Sequence, residues 1–169
     1  MSRSDIDEHF SKIDELVEEI EEVVPSGTYR SIKFRADLAG LLVVAISATY
    51  ENCVKMILCE YATRQHQSFG QFATRNFDRL NSRIKVSDLV KYCEVFDPQV
   101  CARFKDQLAR RKRKLLERTG KNIQTSYEQI LNWRHDFAHA RIQSTTIEEA
   151  VTHHRFGKRV IYIFDGAFS

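Results

Sequence analysis

Helix breakers are scarce in this chain: two prolines and six glycines serve 169 residues. Proline inside a helix removes an amide donor and clashes with the preceding turn, and glycine there costs about 1 kcal/mol relative to alanine. Long stretches without either residue can stay helical, whereas a strand-and-turn architecture would need many more of both. The chain therefore predicts an all-α fold.

Apolar spacing places the helices. From Ile6, the positions Phe10, Ile13, Leu16, Val17, Ile20, Val23 and Val24 recur three and four apart, with glutamates on the other face. This is the pattern of an amphipathic helix, and Pro25-Ser26-Gly27 stops it. A second helix is predicted from about Arg35 to about Arg64, apolar on nearly every side in its first half and so expected at the centre of a bundle. Its most apolar run, Leu38 to Tyr50, covers about 13 residues where a membrane span needs about 20, which makes it a core helix.

Gly70 and its polar neighbours predict a break, followed by a short helix carrying Phe72, Phe77 and Leu80 and another beginning at Ser87. Asp97-Pro98 is a helix start, with aspartate capping free amides and proline in the first turn. Val100, Phe104, Leu108 and Leu115 then line one face. Thr125 with Glu128, and Thr146 with Glu149, have capping-box spacing before two further helices. Val160-Ile161-Tyr162-Ile163-Phe164 is rich in β-formers and follows Gly157, yet helix is the preferred reading. With no internal repeat or linker, residues 1–169 form one domain of about five to seven helices.

Composition narrows the class. A chain of 169 residues with 43% hydrophobic and 29% charged residues can bury a core without disulfide or metal staples. Twenty-six basic against 23 acidic residues leaves +3, too small an excess to mark a nucleic-acid binder by itself. Cys53, Cys59, Cys93 and Cys101 show no Cys-x-x-Cys pair, so reduced and mostly buried thiols are expected. The polar start Met1-Ser2-Arg3-Ser4-Asp5 is unlike a signal peptide, and the reading is a cytoplasmic protein with no membrane segment.

One segment concentrates chemistry. Asn132 to Arg141 gathers two arginines, two histidines and an aspartate beside Trp133 and Phe137, near the end of a predicted helix. His135 and His139 share a helical face at four-residue spacing, as in two-histidine metal sites. His-Asp-Phe-Ala-His lacks the glutamate of the metalloprotease pattern and offers too few ligands, so no metal is assigned. Arg110-Arg111-Lys112-Arg113-Lys114 is the strongest local charge, either a solvated helix face or an electrostatic track for RNA. Asp136 suits a surface ion pair with Arg134 or Arg141, of little energetic value.

Arg134 and His139, with four residues between, resemble the Arg-x4-6-His motif of HEPN ribonucleases. His135 matches the polar residue that commonly follows the arginine, and the long apolar helix with an embedded acidic residue, Glu51 in Ala48-Thr49-Tyr50-Glu51-Asn52, is similar to the family's central helix. The resemblance implies a metal-independent endoribonuclease without cofactors. In that chemistry the ribose 2′-hydroxyl attacks the neighbouring phosphate and leaves a 2′,3′-cyclic phosphate. His139 would be the acid/base and Arg134 the clamp on the phosphorane charge, roles suited to an imidazole and a permanent cation. His135, Glu51 and Asp136 would support them, with Glu51 orienting Arg134 or a protonated histidine. Arg110 to Lys114 and Arg141 would bind RNA.

Five residues rotate about 140° around a helix, so Arg134 and His139 do not share a face unless the helix distorts or ends between them. The resemblance implies a homodimer in which the two motifs meet in a composite site. It also implies a toxin or effector of a toxin–antitoxin or antiphage system, with an antitoxin or regulatory protein as partner. Toxins modified by nucleotidyltransferase antitoxins carry a tyrosine two residues after the motif histidine; here Arg141 stands there, against that mode of regulation. The alternative is a catalytically silent HEPN-like module that binds a nucleotide, RNA or protein. His153 and His154, from the last helix, are further candidates for the cleft.

Overall fold

A computed structural model describes residues 3–25, 32–78, 80, 83–140 and 145–169. Among them are seven helices and no strand: α1 (Arg3–Val23), α2 (Ile32–Gln65), α3 (Gln67–Phe77), α4 (Val86–Phe96), α5 (Pro98–Thr119), α6 (Ile123–Ala140) and α7 (Ile147–Phe168). The all-α prediction holds, and Val160–Phe164 is the interior of α7. Val160, Ile161 and Phe164 face the core from that helix, so packing outweighs the β propensity of the run.

The 34-residue α2 runs through the bundle and packs against α1, α3, α6 and α7. Its apolar residues point in every direction because it has neighbours on most sides: Leu42, Val43, Ile46, Cys53, Val54, Ile57 and Leu58 are all buried. Length and composition alone would let α2 cross a membrane, but half of its most apolar window is covered by the rest of the fold. Tyr50, at its centre, stacks on Tyr127 of α6 at 5.0 Å and meets Phe10 of α1 edge-on at 6.1 Å. The Tyr127 hydroxyl donates to the Ile84 carbonyl at 2.7 Å, anchoring the approach to α4.

Several boundaries shift from expectation for local reasons. The turn between α2 and α3 falls at His66, whose Nδ1 accepts from the Ser68 amide, while Gly70 sits inside α3 against Thr63. Leu80 lies beyond the end of α3. Asn122, rather than Thr125, caps α6: its Oδ1 accepts from the amides of Gln124 at 3.0 Å and Thr125 at 3.3 Å. An asparagine carbonyl satisfies the same free amides that a threonine hydroxyl would. Asp97 caps α5 as expected, accepting from Gln99 at 2.7 Å, and Thr146 and Glu149 form the expected capping box of α7.

Arg35 ties three helices together at one end of the bundle. Its guanidinium, with a side chain only 12% exposed, contacts Glu21 of α1 at 2.7 Å and Glu148 of α7 at 2.6 Å. All four cysteines are free thiols. Burial pushes Cys53 and Cys93 up to about 12, which keeps them protonated and unreactive.

Candidate active site

Two glycines set the position of α6, the helix that carries the motif. A Cβ on Gly157 of α7 would lie 2.9 Å from the Tyr127 Cα, so only glycine lets these backbones come so close. A Cβ on Gly40 of α2 would lie 2.2 Å from the Phe137 ring, which fills that space in the middle of the motif. Trp133 packs edge-on against His153 of α7, with ring centroids 4.9 Å apart. Apolar contacts on two sides therefore hold α6 and turn its polar residues outward.

Arg134 is half-buried and lines a small cavity of about 170 Å³ with Ser47 of α2, Lys85, Leu131, Asn132 and His135. Lys85 and Arg134 bring two cations to one cavity, suited to a phosphate oxygen. His135 and His139 are exposed one turn apart, ring centroids 4.4 Å from each other. Asp136 is exposed. Helix α6 runs from Ile123 to Ala140, so no helix end falls between Arg134 and His139 to remove the rotation of about 140° that helix geometry puts between them. The cavity holds Arg134 and His135 but not His139.

Glu51 is half-buried one turn beyond Ser47, on the same face of α2. It lies near enough to Tyr92 of α4 to contribute, after burial and Asp88, to the raised pKa of that phenol. Lys85 and Ser47 were not expected in the site. Lys85 precedes α4 in a stretch with no periodicity, and Ser47 was recognisable only by its four-residue spacing from Glu51.

The side chains of the basic run do not share one face of α5. The turn of α5 sends Lys112 towards α6, where its Nζ donates to Gln124 at 3.4 Å, and leaves Arg113 in solvent. Arg110, Arg111 and Lys114 share a third face. Arg141 lies outside the described residues. His154 joins the core instead of the cleft: its Nδ1 is 3.1 Å from the Tyr50 hydroxyl, and burial, with Lys158 adding to it, lowers its pKa to about 3. Burial also lowers His153. Among the described residues, no group of three or more His, Cys, Asp or Glu side chains is placed to hold a metal ion.

The profile of the RiboL-PSP-HEPN family matches residues 7–169. The chain belongs to the RiboL-PSP-HEPN family. Searches among curated proteins and among solved structures find no match. HEPN membership agrees with the seven-helix fold and places the chain among nuclease-like, RNA-related modules. In this HEPN chain, Arg134 is half-buried at a cavity that Lys85 also lines, and His139 is exposed on the same helix.

Proposed function

We propose that this HEPN chain is a metal-independent endoribonuclease that works as a homodimer. The observation that carries the reading is the presentation of the motif: Arg134 at a cavity, and His135 and His139 exposed beside it, on a helix braced by Gly40 and Gly157. RNA supplies its own nucleophile, so the protein needs only a proton shuttle and a fixed cation. His139 moves the proton, His135 positions its ring, and Arg134 with Lys85 holds the phosphate as charge builds on it. Glu51 and Asp136 are supporting groups, and Arg110 to Lys114 with Arg141 supply charge for the backbone.

The unbroken helix supports the dimer, because a second copy can bring its own His139 to the Arg134 that one copy leaves on another face. Exposed Phe34 and Leu41 on α2 lie seven residues apart, beside the Gly40–Phe137 contact, and offer an apolar surface next to the motif. A toxin or effector role, with an antitoxin or regulator as partner, fits such an activity. The second reading is a silent module that binds RNA, a nucleotide or a protein, favoured by the absence of His139 from the residues lining the Arg134 cavity.

Cleavage of a long single-stranded RNA in excess EDTA separates the two. The wild type is expected to cut RNA but not the matching DNA and to leave 2′,3′-cyclic phosphate ends, with activity lost in His139→Ala and Arg134→Ala. A folded wild type that leaves RNA intact with or without added metal, or cutting that survives His139→Ala, would refute the enzyme reading.

A further inference from the structure

A second basic site lies away from the motif. Helices α5 and α7 run antiparallel, with Phe104 packed edge-on against Phe164 at 5.5 Å and Arg103 donating to the Ala167 carbonyl at 2.8 Å. Above this contact opens a groove of about 920 Å³. One wall is the α5 stripe of Arg110, Arg111 and Lys114. The α7 side presents Arg155, Lys158 and Arg159, and Arg3 of α1, whose guanidinium lies 5.2 Å from the Tyr162 ring centre, also lines the groove. Seven cations from three helices thus face one space, although they come from widely separated parts of the sequence.

The groove belongs to a different side of the molecule from the motif. His153, which meets Trp133 of α6, is two residues before Arg155 and so about 160° from it around the α7 axis. The groove and the Arg134 cavity share no lining residue. Acidic neighbours offset only part of the charge: Asp106 pairs with Arg110, and Asp14 stands 3.9 Å from Lys158. Asp7 engages the hydroxyl of Tyr162 on the floor. Burial lowers the pKa of Arg159, and the nearby charges of Arg111 and Arg155 lower it further, so the cluster carries mutual repulsion that an anion would relieve.

We propose that this groove binds the phosphate backbone of single-stranded RNA, remote from the cleavage motif; the inference rests on the ribonuclease reading above. Two features favour a strand over a single phosphate. Its volume exceeds what one phosphate would fill, and Arg110 and Lys114, like Arg155 and Arg159, are spaced by one helical turn, about 6 Å, so cations recur along its length. Tyr162 and Ile163 give the floor an apolar strip against which unstacked bases can lie between the charged walls.

The test is equilibrium binding of a fluorescent oligouridylate in EDTA across a salt series, with His139→Ala as the parent so that no cleavage intervenes. Arg155→Gln/Arg159→Gln and, separately, Arg111→Gln/Lys114→Gln are compared with Lys33→Gln/Lys91→Gln, which removes the same charge from exposed positions outside the groove. If each groove pair removes two phosphate contacts, the slope of log K against log salt becomes shallower by about 1.4, and the control pair leaves it unchanged. Thermal melts establish that each variant is folded.

Groove variants that bind like the control, a parent that does not bind the oligonucleotide, or equal affinity for poly-glutamate would each overturn the proposal, the last in favour of an acidic protein partner. Tight binding of pyrophosphate without binding of the oligonucleotide would overturn it in favour of a small phosphate ligand. Binding is read without catalysis, so failure of the groove leaves the EDTA cleavage result standing, and failure of cleavage leaves the binding result standing.

Discussion

Lowering the pH should unfold this protein partly through one residue, His154. Its ring is 3% exposed, meets Phe10 at 5.4 Å, and has its Nε2 buried with no hydrogen-bond partner among the described residues. Around it stand Tyr50 of α2, Asp14 and Glu18 of α1, and Lys158 of its own helix. Desolvation, with a smaller push from Lys158, lowers its pKa to about 3, against about 6.5 in the unfolded chain. The folded state therefore resists a proton that the unfolded state accepts. Stability from this group is complete above about pH 6.5 and is lost as pH falls through the window down to about 3, at up to about 1.4 kcal/mol per pH unit. Between about pH 8 and pH 5 the loss is about 2 kcal/mol. Urea unfolding followed by circular dichroism at several pH values measures it, with His154→Leu as reference because leucine cannot titrate. His153, also lowered, is common to both proteins and cancels in the difference. Parallel stability profiles for wild type and His154→Leu across this range would refute the reasoning.

The close approach of α6 and α7 gives a second prediction. Gly157→Ala should destabilise by roughly 1–3 kcal/mol because backbone must move, whereas Gly166→Ala, whose Cβ would lie 3.6 Å from Gln107, should stabilise by up to about 1 kcal/mol; thermal unfolding reads both, and equal shifts would contradict the packing argument. For the proposed composite site, mixing and refolding inactive Arg134→Ala and His139→Ala chains should restore part of the RNA cleavage, since one site of the mixed dimer keeps both groups. No recovery from a mixture shown to form mixed dimers would place both functional groups within one copy.

The sequence carried the helices more clearly than their joints. Three-and-four spacing is repeated over whole helices, so α1, α2 and α5 were readable from many residues at once. A cap depends on one or two side chains and several residue types can supply it, which is why Asn122 could take the place expected of Thr125. Gly70 was misleading for a related reason. Glycine marks a break when the backbone needs freedom, but it also marks a close approach within a helix, and only the neighbouring Thr63 distinguishes the two. His154 falls in step with Ile147, Ala150 and Ile161 on the buried side of its helix, a core position. Its polar character raised the other reading, which the Tyr50 contact removes.

The functional surfaces differ in legibility because one is local in sequence and the other is not. Arg134, His135 and His139 occupy one and a half turns of one helix, so a short motif exposes them. The α5–α7 groove joins residues about forty-five positions apart, whose spacing on each helix is unremarkable until the antiparallel packing of Phe104 on Phe164 aligns them. The run from Arg110 to Lys114 drew notice as a block of charge, but a helix distributes a block around its axis, and only three of the five residues face the groove. Charge density along the sequence therefore grouped Lys112 and Arg113 with residues whose groove they do not line, and gave no sign of Arg155 and Arg159. A strand held in the groove would lie on the opposite side of α7 from the motif helix, so a long RNA must pass around an end of the bundle or onto a second copy to reach Arg134. The proposed dimer would supply that second copy, which links the groove's use to the same assembly that would complete the Arg134–His139 pair.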